Sequence, residues 1–200
     1  MHYENHLFWE RCKWKYTKYF TDPSKVIEFG SEYINGTIRA YFRCKDYIGV
    51  DWRGSFCVDD RQLAHNVNYA PESFDTVVSA SMFEHDPYWK KSIVKMVDVM
   101  KKDGLLAISW GAARNGPHGK VFASDVEFHA LKAEMMLKEL YDLGIYTHEF
   151  QYERSIMPDR IKKLRPMPIG LGEVVIVGFK DRKYATGEKL IDPLIDEDRI

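Results

Sequence analysis

The sequence lacks the features that would assign it to several specialised classes of protein. It has no apolar run near the roughly 20 residues that a membrane-spanning helix needs, and residues 1–20 are too aromatic and too charged for a signal peptide. Its 29 basic and 30 acidic side chains nearly cancel, so the chain as a whole has no electrostatic attraction to nucleic acid or to an anionic membrane. It also has no internal repeat and no low-complexity tract. These absences predict a soluble protein of the cytoplasm.

Cysteine is scarce as well. Cys12, Cys44 and Cys57 form no C-x-x-C pair and have no histidine at zinc-finger spacing. We therefore predict neither a disulfide framework nor a metal site, and the odd cysteine count suits a reducing compartment. The 200 residues, with 45% hydrophobic and 30% charged side chains, have the composition of a globular protein. We predict one domain at 1–183, with a helix at 1–20 that covers the site, and a loose tail at 184–200.

Short apolar runs alternate with helical patterns along the chain, which predicts an α/β fold. Strands that are apolar on both faces are typical of a parallel sheet between two layers of helices. The last two strands follow each other without a helical pattern, so we predict a seven-stranded, mostly parallel sheet that ends in an antiparallel strand. Strands are expected at 25–30, 47–51, 56–59, 74–80, 105–110, 145–152 and 173–180. Helices are expected at 1–20 and 34–43, from 86–87 to 101–104, and from the capping box at 124–127 to Gly144.

Two strand ends carry residues that are typical of a nucleoside-binding site. Gly30 ends the first strand, where a missing side chain would let a ligand approach the backbone and the start of the next helix would offer N–H donors. Asp51 ends the second strand, at the distance along the chain at which a carboxylate binds ribose hydroxyls. A G-x-G-x-x-G fingerprint is absent, because Glu32 and Asn35 hold its later glycine positions. The pair predicts a nucleoside cofactor, although Gly30 alone would also suit an ordinary turn.

The longer motifs carry a resemblance to a known family. They read VIEFGSEYINGT at 26–37, YIGVDWR at 47–53, AH at 64–65 and ESFDTVVSASMFEHDPYWKKSIVKMVDVMKKDGLLAIS at 72–109. In order and spacing this sequence resembles the class I S-adenosylmethionine-dependent methyltransferases, and within them the type 11 subgroup, over residues 25 to about 119. The resemblance implies a Rossmann-like three-layer sandwich, S-adenosylmethionine as cofactor and S-adenosylhomocysteine as product.

The resemblance also implies which residues hold the cofactor. The turn after the first strand would lie at its methionine part, the carboxylate after the second strand would bind the ribose, and the next tryptophan would flank the adenine. The segment before the fourth strand would recognise the adenine, and the segment that ends this strand would lie beneath the sulfonium. These residues are Glu28, Gly30, Ser31, Asp51, Trp52, Leu63, Ala64, Ser79 and Met82.

Two positions depart from the family pattern. Leu63 stands where the family has an aspartate for the adenine amino group, so recognition would pass to the backbone near Ala64 or to Asp60. Glu32 stands where most members have a glycine. These departures leave open a second hypothesis, a methyltransferase-like binding or partner subunit without catalysis.

The resemblance places a Glu–His pair, Glu84 and His85, after the fourth strand. If the acceptor is a hydroxyl, His85 is the first candidate for a general base and His118, in the loop after the fifth strand, is the second; Glu84 would position backbone or cofactor. We expect a small molecule or a sugar as acceptor, methylated on oxygen or nitrogen. It would be recognised by the N-terminal helix (through Trp9 and Tyr16), the 111–120 loop and the 153–172 segment. A dehydrogenase would need the missing glycine fingerprint, and a base-amine methylase would need an Asn/Asp-Pro-Pro-aromatic run.

Overall fold

The structure is a computed structural model and describes residues 3–34, 36–111, 131–154 and 172–181. Its helices are α1 (Tyr3–Lys15), α2 (Thr17–Phe20), α3 (Trp89–Val99) and α4 (Ala133–Asp142), and 3₁₀ turns lie at Ile38–Tyr41, Ala64–Asn66 and Phe83–His85. The strands are β1 (Val26–Phe29), β2 (Tyr47–Asp51), β3 (Asp60–Arg61), β4 (Phe74–Ala80), β5 (Met100–Gly111), β6 (Tyr146–Arg154) and β7 (Gly172–Phe179). None of the helices within these ranges is long and apolar enough to cross a membrane.

The seven strands form one sheet in the order β3-β2-β1-β4-β5-β7-β6. The pairs from β3 to β5 are parallel, whereas β7 runs antiparallel to both β5 and β6. The predicted fold class is therefore confirmed. The strand order reverses between β1 and β4, and in open α/β sheets ligands bind at the carboxyl ends of the strands beside such a reversal.

Two hydrophobic clusters cover the two faces of the sheet. Alternate residues of β1 divide between them, since Ile27 and Phe29 belong to one cluster and Val26 to the other. The first cluster is mainly aliphatic and includes the inner faces of α3 and α4. The second contains Phe8, Trp9 and further aromatic side chains from the N-terminal segment. The sheet is thus buried on both faces and leaves its strand ends for a ligand.

Five predicted elements differ from the structure. The helix expected at 1–20 is interrupted at Tyr16 and forms α1 and α2. The strand expected at 56–59 does not form there, because the third strand of the sheet is β3 at Asp60–Arg61. The helix expected at 34–43 is only the 3₁₀ turn Ile38–Tyr41. The helix expected to run to 101–104 ends at Val99, because β5 already begins at Met100. For the last helix the sequence predicts Met135 and Leu140 among the apolar positions. In α4 the buried positions are Ala133, Met136, Leu137 and Leu140, whereas Met135 is exposed. The capping box at 124–127 lies outside the described residues.

Candidate active site at the carboxyl ends of the strands

The carboxyl ends of β1 and β4 meet at Gly30 and Met82. Gly30 has φ +79°, a conformation that side chains of L-residues rarely adopt, and a Cβ added to it would lie 2.7 Å from the Cβ of Met82. Only glycine fits this position, so the chain can turn sharply while Met82 packs against its backbone. This contact joins the two strands on either side of the order reversal.

The turn after β1 is bonded to the end of β2. The amides of Gly30 and Ser31 both donate to the Val50 carbonyl, at 2.8 and 3.1 Å. The next two amides also have acceptors within the chain: Glu32 N–H donates to Asp51 Oδ2 at 3.3 Å and Tyr33 N–H to Ser55 Oγ at 3.1 Å. The expectation of N–H donors at a helix start directly after Gly30 is therefore wrong, because the amides of 30–33 bond to the protein and no helix begins there.

Asp51 is the carboxylate at the centre of this turn. It accepts the amide of Glu32 on Oδ2 and the amide of Arg53 on Oδ1, the latter at 2.9 Å. Burial raises the pKa of Asp51, and these two amides oppose that rise because they stabilise the ionised form. Glu32 and Arg53 also form an ion pair at 3.6 Å. A carboxylate oxygen has two lone pairs, so each oxygen of Asp51 can accept a further bond from a hydroxyl.

Glu28 lies beneath the same turn and is buried, with 3% exposure. Its Oε2 accepts a hydrogen bond from the Tyr47 hydroxyl at 2.7 Å. Burial raises the pKa of Glu28 to about 7, although the Tyr47 hydroxyl and the Arg39 guanidinium both act to lower it. Its contacts are thus with the protein interior below the site. Sequence reasoning missed Tyr47 as its partner, for which the spacing along the chain gave no signal.

The predicted adenine residues lie at the ends of β2 and β3. Trp52 is 49% exposed, and the Arg53 guanidinium carbon lies 4.5 Å from its ring centroid. Leu63 is 45% exposed, directly before the 3₁₀ turn that contains Ala64, which packs against the aliphatic cluster. Exposed apolar side chains at these strand ends offer flat contact area for a ring.

Asp60, the alternative partner for the adenine, already has two donors. The Tyr69 hydroxyl and the side-chain Nε2 of Gln62 both donate to Asp60 Oδ2, each at 2.6 Å. These bonds tie the Asp60 carboxylate to the segment that follows β3.

Two buried hydroxyls at the strand ends have no hydrogen-bond partner among the described residues. They are Ser31 Oγ and Ser79 Oγ, on side chains with 2% and 0% exposure. An unpaired buried hydroxyl costs stability unless a ligand or water completes it. Together with the narrow turn at Gly30 and the carboxylate of Asp51, they fit a polar ligand with hydroxyl and amino acid groups such as S-adenosylmethionine.

Glu84 and His85 lie in the 3₁₀ turn Phe83–His85, next to Met82. Glu84 is 2% exposed, and its Oε1 accepts the amide of Gly111 at 3.0 Å. The amide of His85 donates to the Met82 carbonyl at 2.9 Å. Glu84 thus fixes the end of β5 to this turn. His118 lies outside the described residues, as do the 112–130 and 155–171 segments.

The N-terminal helix contacts the site through a residue that sequence reasoning missed, Asn5. It is fully buried and bonds to Ser81 and Ser109 at the carboxyl ends of β4 and β5. The predicted acceptor contacts on this helix are wrong for two residues. Trp9 is buried and donates to Asn5, and Tyr16 bonds Glu149 and packs on Phe179 at the opposite, amino-terminal edge of the parallel strands. The sequence signal that could have identified Asn5 is its position at helical spacing from the apolar residues Phe8 and Trp9.

Comparison with known proteins agrees with the fold. Residues 35–108 match a family model described as a methyltransferase domain. Over this segment the chain is similar to the methyltransferases that the model describes. The match lies within the segment where the motifs predict the resemblance, and a search of curated proteins found no match.

Solved structures share the fold of this protein. An S-adenosylmethionine-dependent methyltransferase from Mesorhizobium loti has a TM-score of 0.61 at 11% identity, over 85% of this chain and 97% of that one. The 1,6-didemethyltoxoflavin-N1-methyltransferase of Burkholderia thailandensis, with bound 1,6-didemethyltoxoflavin and S-adenosylhomocysteine, has a TM-score of 0.63 at 13% identity, over 88% and 77%. A methyltransferase from Archaeoglobus fulgidus reaches 0.57 at 15% identity, over 87% and 93%. At these identities the likeness shows the architecture alone.

Proposed function

We propose that the protein is a class I S-adenosylmethionine-dependent methyltransferase of the type 11 kind, which transfers a methyl group to the oxygen or nitrogen of a small-molecule or sugar acceptor. The observation that carries the proposal is the pairing, at the order reversal of the sheet, of the Gly30 turn with the carboxylate of Asp51 one strand away. The balanced charge of the chain supports a small acceptor over a polyanion. A neighbour of the same fold is solved with a small heterocyclic acceptor, 1,6-didemethyltoxoflavin. Three free cysteines support the reducing cytoplasm as the site of the reaction.

When bound, S-adenosylmethionine supplies an electrophilic methyl carbon on a positively charged sulfur. In the proposed site Asp51 accepts hydrogen bonds from the ribose hydroxyls, while Trp52, Leu63 and Ala64 form the surface against the adenine. The backbone of the Gly30 turn borders the methionine part. The protein's main contribution is alignment, since holding two reactants in line reaches effective molarities of about 10⁵–10⁸ M.

The remaining proposed residues act around the transferred group. Ser79 and Met82 lie beneath the sulfonium, and Ser31 gives a hydroxyl that has no partner in the described part of the chain. If the acceptor is a hydroxyl, His85 takes its proton, with His118 as the second candidate. Glu84, which accepts the amide of Gly111, holds the turn that carries His85. Glu28 supports the Gly30 turn from below through Tyr47.

Isothermal titration with S-adenosylmethionine tests the donor site. The Asp51→Ala variant should bind more weakly by about 1–3 kcal/mol, the free energy of a hydrogen bond to a charged group. Asp98→Ala is the matched control, because Asp98 is a half-buried carboxylate paired with Lys95. The Asp98 carbonyl accepts the amide of Glu72, just before β4 and so at the opposite edge of the sheet. Equal affinity of Asp51→Ala and the wild type would remove Asp51 from the site. Absence of wild-type binding up to millimolar concentration would instead favour the non-catalytic partner subunit.

The acceptor is tested separately by methyl transfer from labelled S-adenosylmethionine to panels of small hydroxyl and amine compounds and of sugars. We expect product only in panels that offer a nucleophilic oxygen or nitrogen. Transfer confined to protein or nucleic acid would contradict the proposed acceptor class while leaving the donor site intact.

A further inference from the structure

Ser81 has an unusual backbone conformation at the end of β4. Apart from glycines, only Ser81 and Glu72 have a positive φ among the described residues, both at +55°. Side chains of L-residues avoid this region because Cβ crowds the neighbouring carbonyl oxygen. Glu72 lies in an exposed turn, whereas Ser81 directly precedes Met82, which packs on Gly30. Contacts around Ser81 must therefore maintain a conformation that serine does not favour.

Those contacts come from β5 and from the N-terminal helix. The amide of Ser81 donates to the Ser109 carbonyl at 2.9 Å, and Ser81 Oγ accepts a hydrogen bond from Asn5 Nδ2 at 3.3 Å. Asn5 Oδ1 accepts both Trp9 Nε1 at 2.7 Å and Ser109 Oγ at 2.8 Å. Because the indole N–H can only donate, it identifies Oδ1 as the acceptor end and directs the NH₂ group to Ser81. The orientation of this buried amide is thus determined by its partners.

We propose that Asn5 is a positioning residue for the donor site. By holding Ser81 in the left-handed conformation, it directs the chain so that Met82 lies against the Gly30 turn and the turn with Glu84 and His85 follows. The inference rests on the proposed function, since it assigns a role toward that same site. Under this proposal α1 supports the site through the buried side-chain amide of Asn5, which does not itself contact the ligand.

Two substitutions at Ser81 separate this role from ordinary packing. Ser81→Ala and Ser81→Gly both remove the hydroxyl that Asn5 binds, but only glycine adopts a positive φ without help. We expect the affinity for S-adenosylmethionine, measured by isothermal titration, to fall about 5–10-fold in Ser81→Ala, as for one lost hydrogen bond. It should stay within about twofold of wild type in Ser81→Gly. Equal affinities of the two variants would overturn the proposal.

The second test asks whether Ser81→Gly restores the cofactor affinity that Asn5→Ala loses. Asn5→Ala should weaken binding by about tenfold, and the double variant Asn5→Ala/Ser81→Gly should recover most of that loss, because a glycine at position 81 keeps its conformation without Asn5. If Asn5 only stabilises the packing of α1, adding Ser81→Gly restores nothing. Failure of the double variant to bind better than Asn5→Ala would therefore contradict the positioning role, provided that both variants remain folded by circular dichroism.

Amide hydrogen exchange gives a readout that needs no cofactor. The amides of Ser81 and His85 donate to Ser109 and Met82, so a displaced turn would expose them. We expect faster exchange at His85 in Ser81→Ala than in Ser81→Gly. If the wild type binds no S-adenosylmethionine, the proposed function fails, and exchange still decides the role of Asn5: identical rates at His85 in the two variants would overturn it.

Discussion

The turns after β1 and β4 meet at the same edge of the sheet, but they are held in different ways. The first is held by its neighbour in the sheet, because the amides of 30–33 bond to acceptors at the end of β2 and in the loop that follows. The residue with a positive φ in this first turn is a glycine, Gly30. The second reaches a positive φ with Ser81, which is held by the Ser109 carbonyl of β5 and also by the side chain of Asn5, 76 residues away in the sequence.

This difference bears on the roles of the two turns. A turn held by adjacent strands is as rigid as the sheet, which suits a fixed binding surface for the cofactor. A turn held by a separate helix depends on how that helix packs. We therefore expect changes in the first turn to affect cofactor affinity together with stability. Changes in the second turn should affect cofactor affinity through the backbone at Ser81 and turnover through His85.

The largest effect is expected in the turn after β4. His85→Ala should leave the affinity for S-adenosylmethionine unchanged within about twofold, but it should slow methyl transfer by about 10²–10⁴-fold if His85 is the general base. Single-turnover rates and isothermal titration measure the two quantities separately. His148→Ala is the control, because His148 packs on Tyr16 and Phe179 at the opposite edge. An unchanged rate would assign His85 to structure alone.

The next effect is expected in the turn after β1. Gly30→Ala forces a side chain into a positive φ and places its Cβ 2.7 Å from the Cβ of Met82, so it should cost about 2–4 kcal/mol of stability and abolish cofactor binding. Gly144→Ala is a matched control, since Gly144 has φ +75° with nothing within 4 Å of the added Cβ. It should cost only about 1 kcal/mol. Urea unfolding measures both variants, and equal losses would show that the contact with Met82 is unimportant.

The same comparison explains how much the sequence alone could predict. Strands β2 and β4 were predicted at the bounds they have, 47–51 and 74–80, because each is a short apolar run closed by a polar residue or a turn. Local spacing predicts the glycine and the carboxylate at the ends of β1 and β2, and the predicted fold is confirmed. The cofactor is proposed from the resemblance. The individual site residues remain predictions.

The errors arose where long-range contacts override local pattern. Met100 continues the helical spacing of α3, yet it pairs with Phe74 as the first residue of β5. Leu131 is buried just before α4, so the apolar stripe of that helix begins at Ala133 and Met135 turns outward. No spacing rule relates Asn5 to Ser81, because only the packing of α1 on the sheet brings them together.

The smallest predicted effect concerns the support beneath the turn after β1. Burial raises the pKa of Glu28 to about 7 from an ordinary value of 4.5. Between these two pH values the folded protein binds more protons than the unfolded chain, so this residue's contribution to stability falls as pH rises from about 4.5 through 7. Glu28→Gln keeps an acceptor for Tyr47 but does not titrate. Through Glu28 the wild type should lose about 1–3 kcal/mol of its free energy of unfolding between pH 5 and pH 8, and Glu28→Gln should not show this loss.

Urea unfolding of both proteins at pH 5 and pH 8 measures this contribution. Glu139→Gln is the control, because Glu139 pairs with Lys90 across the surface at 3.5 Å and should leave the pH dependence as in the wild type. If Glu28→Gln and the wild type lose the same stability over this range, Glu28 is ionised in the folded protein. The turn after β1 would then rest on a charged carboxylate, and Arg39, whose charge favours that form, would become its main support.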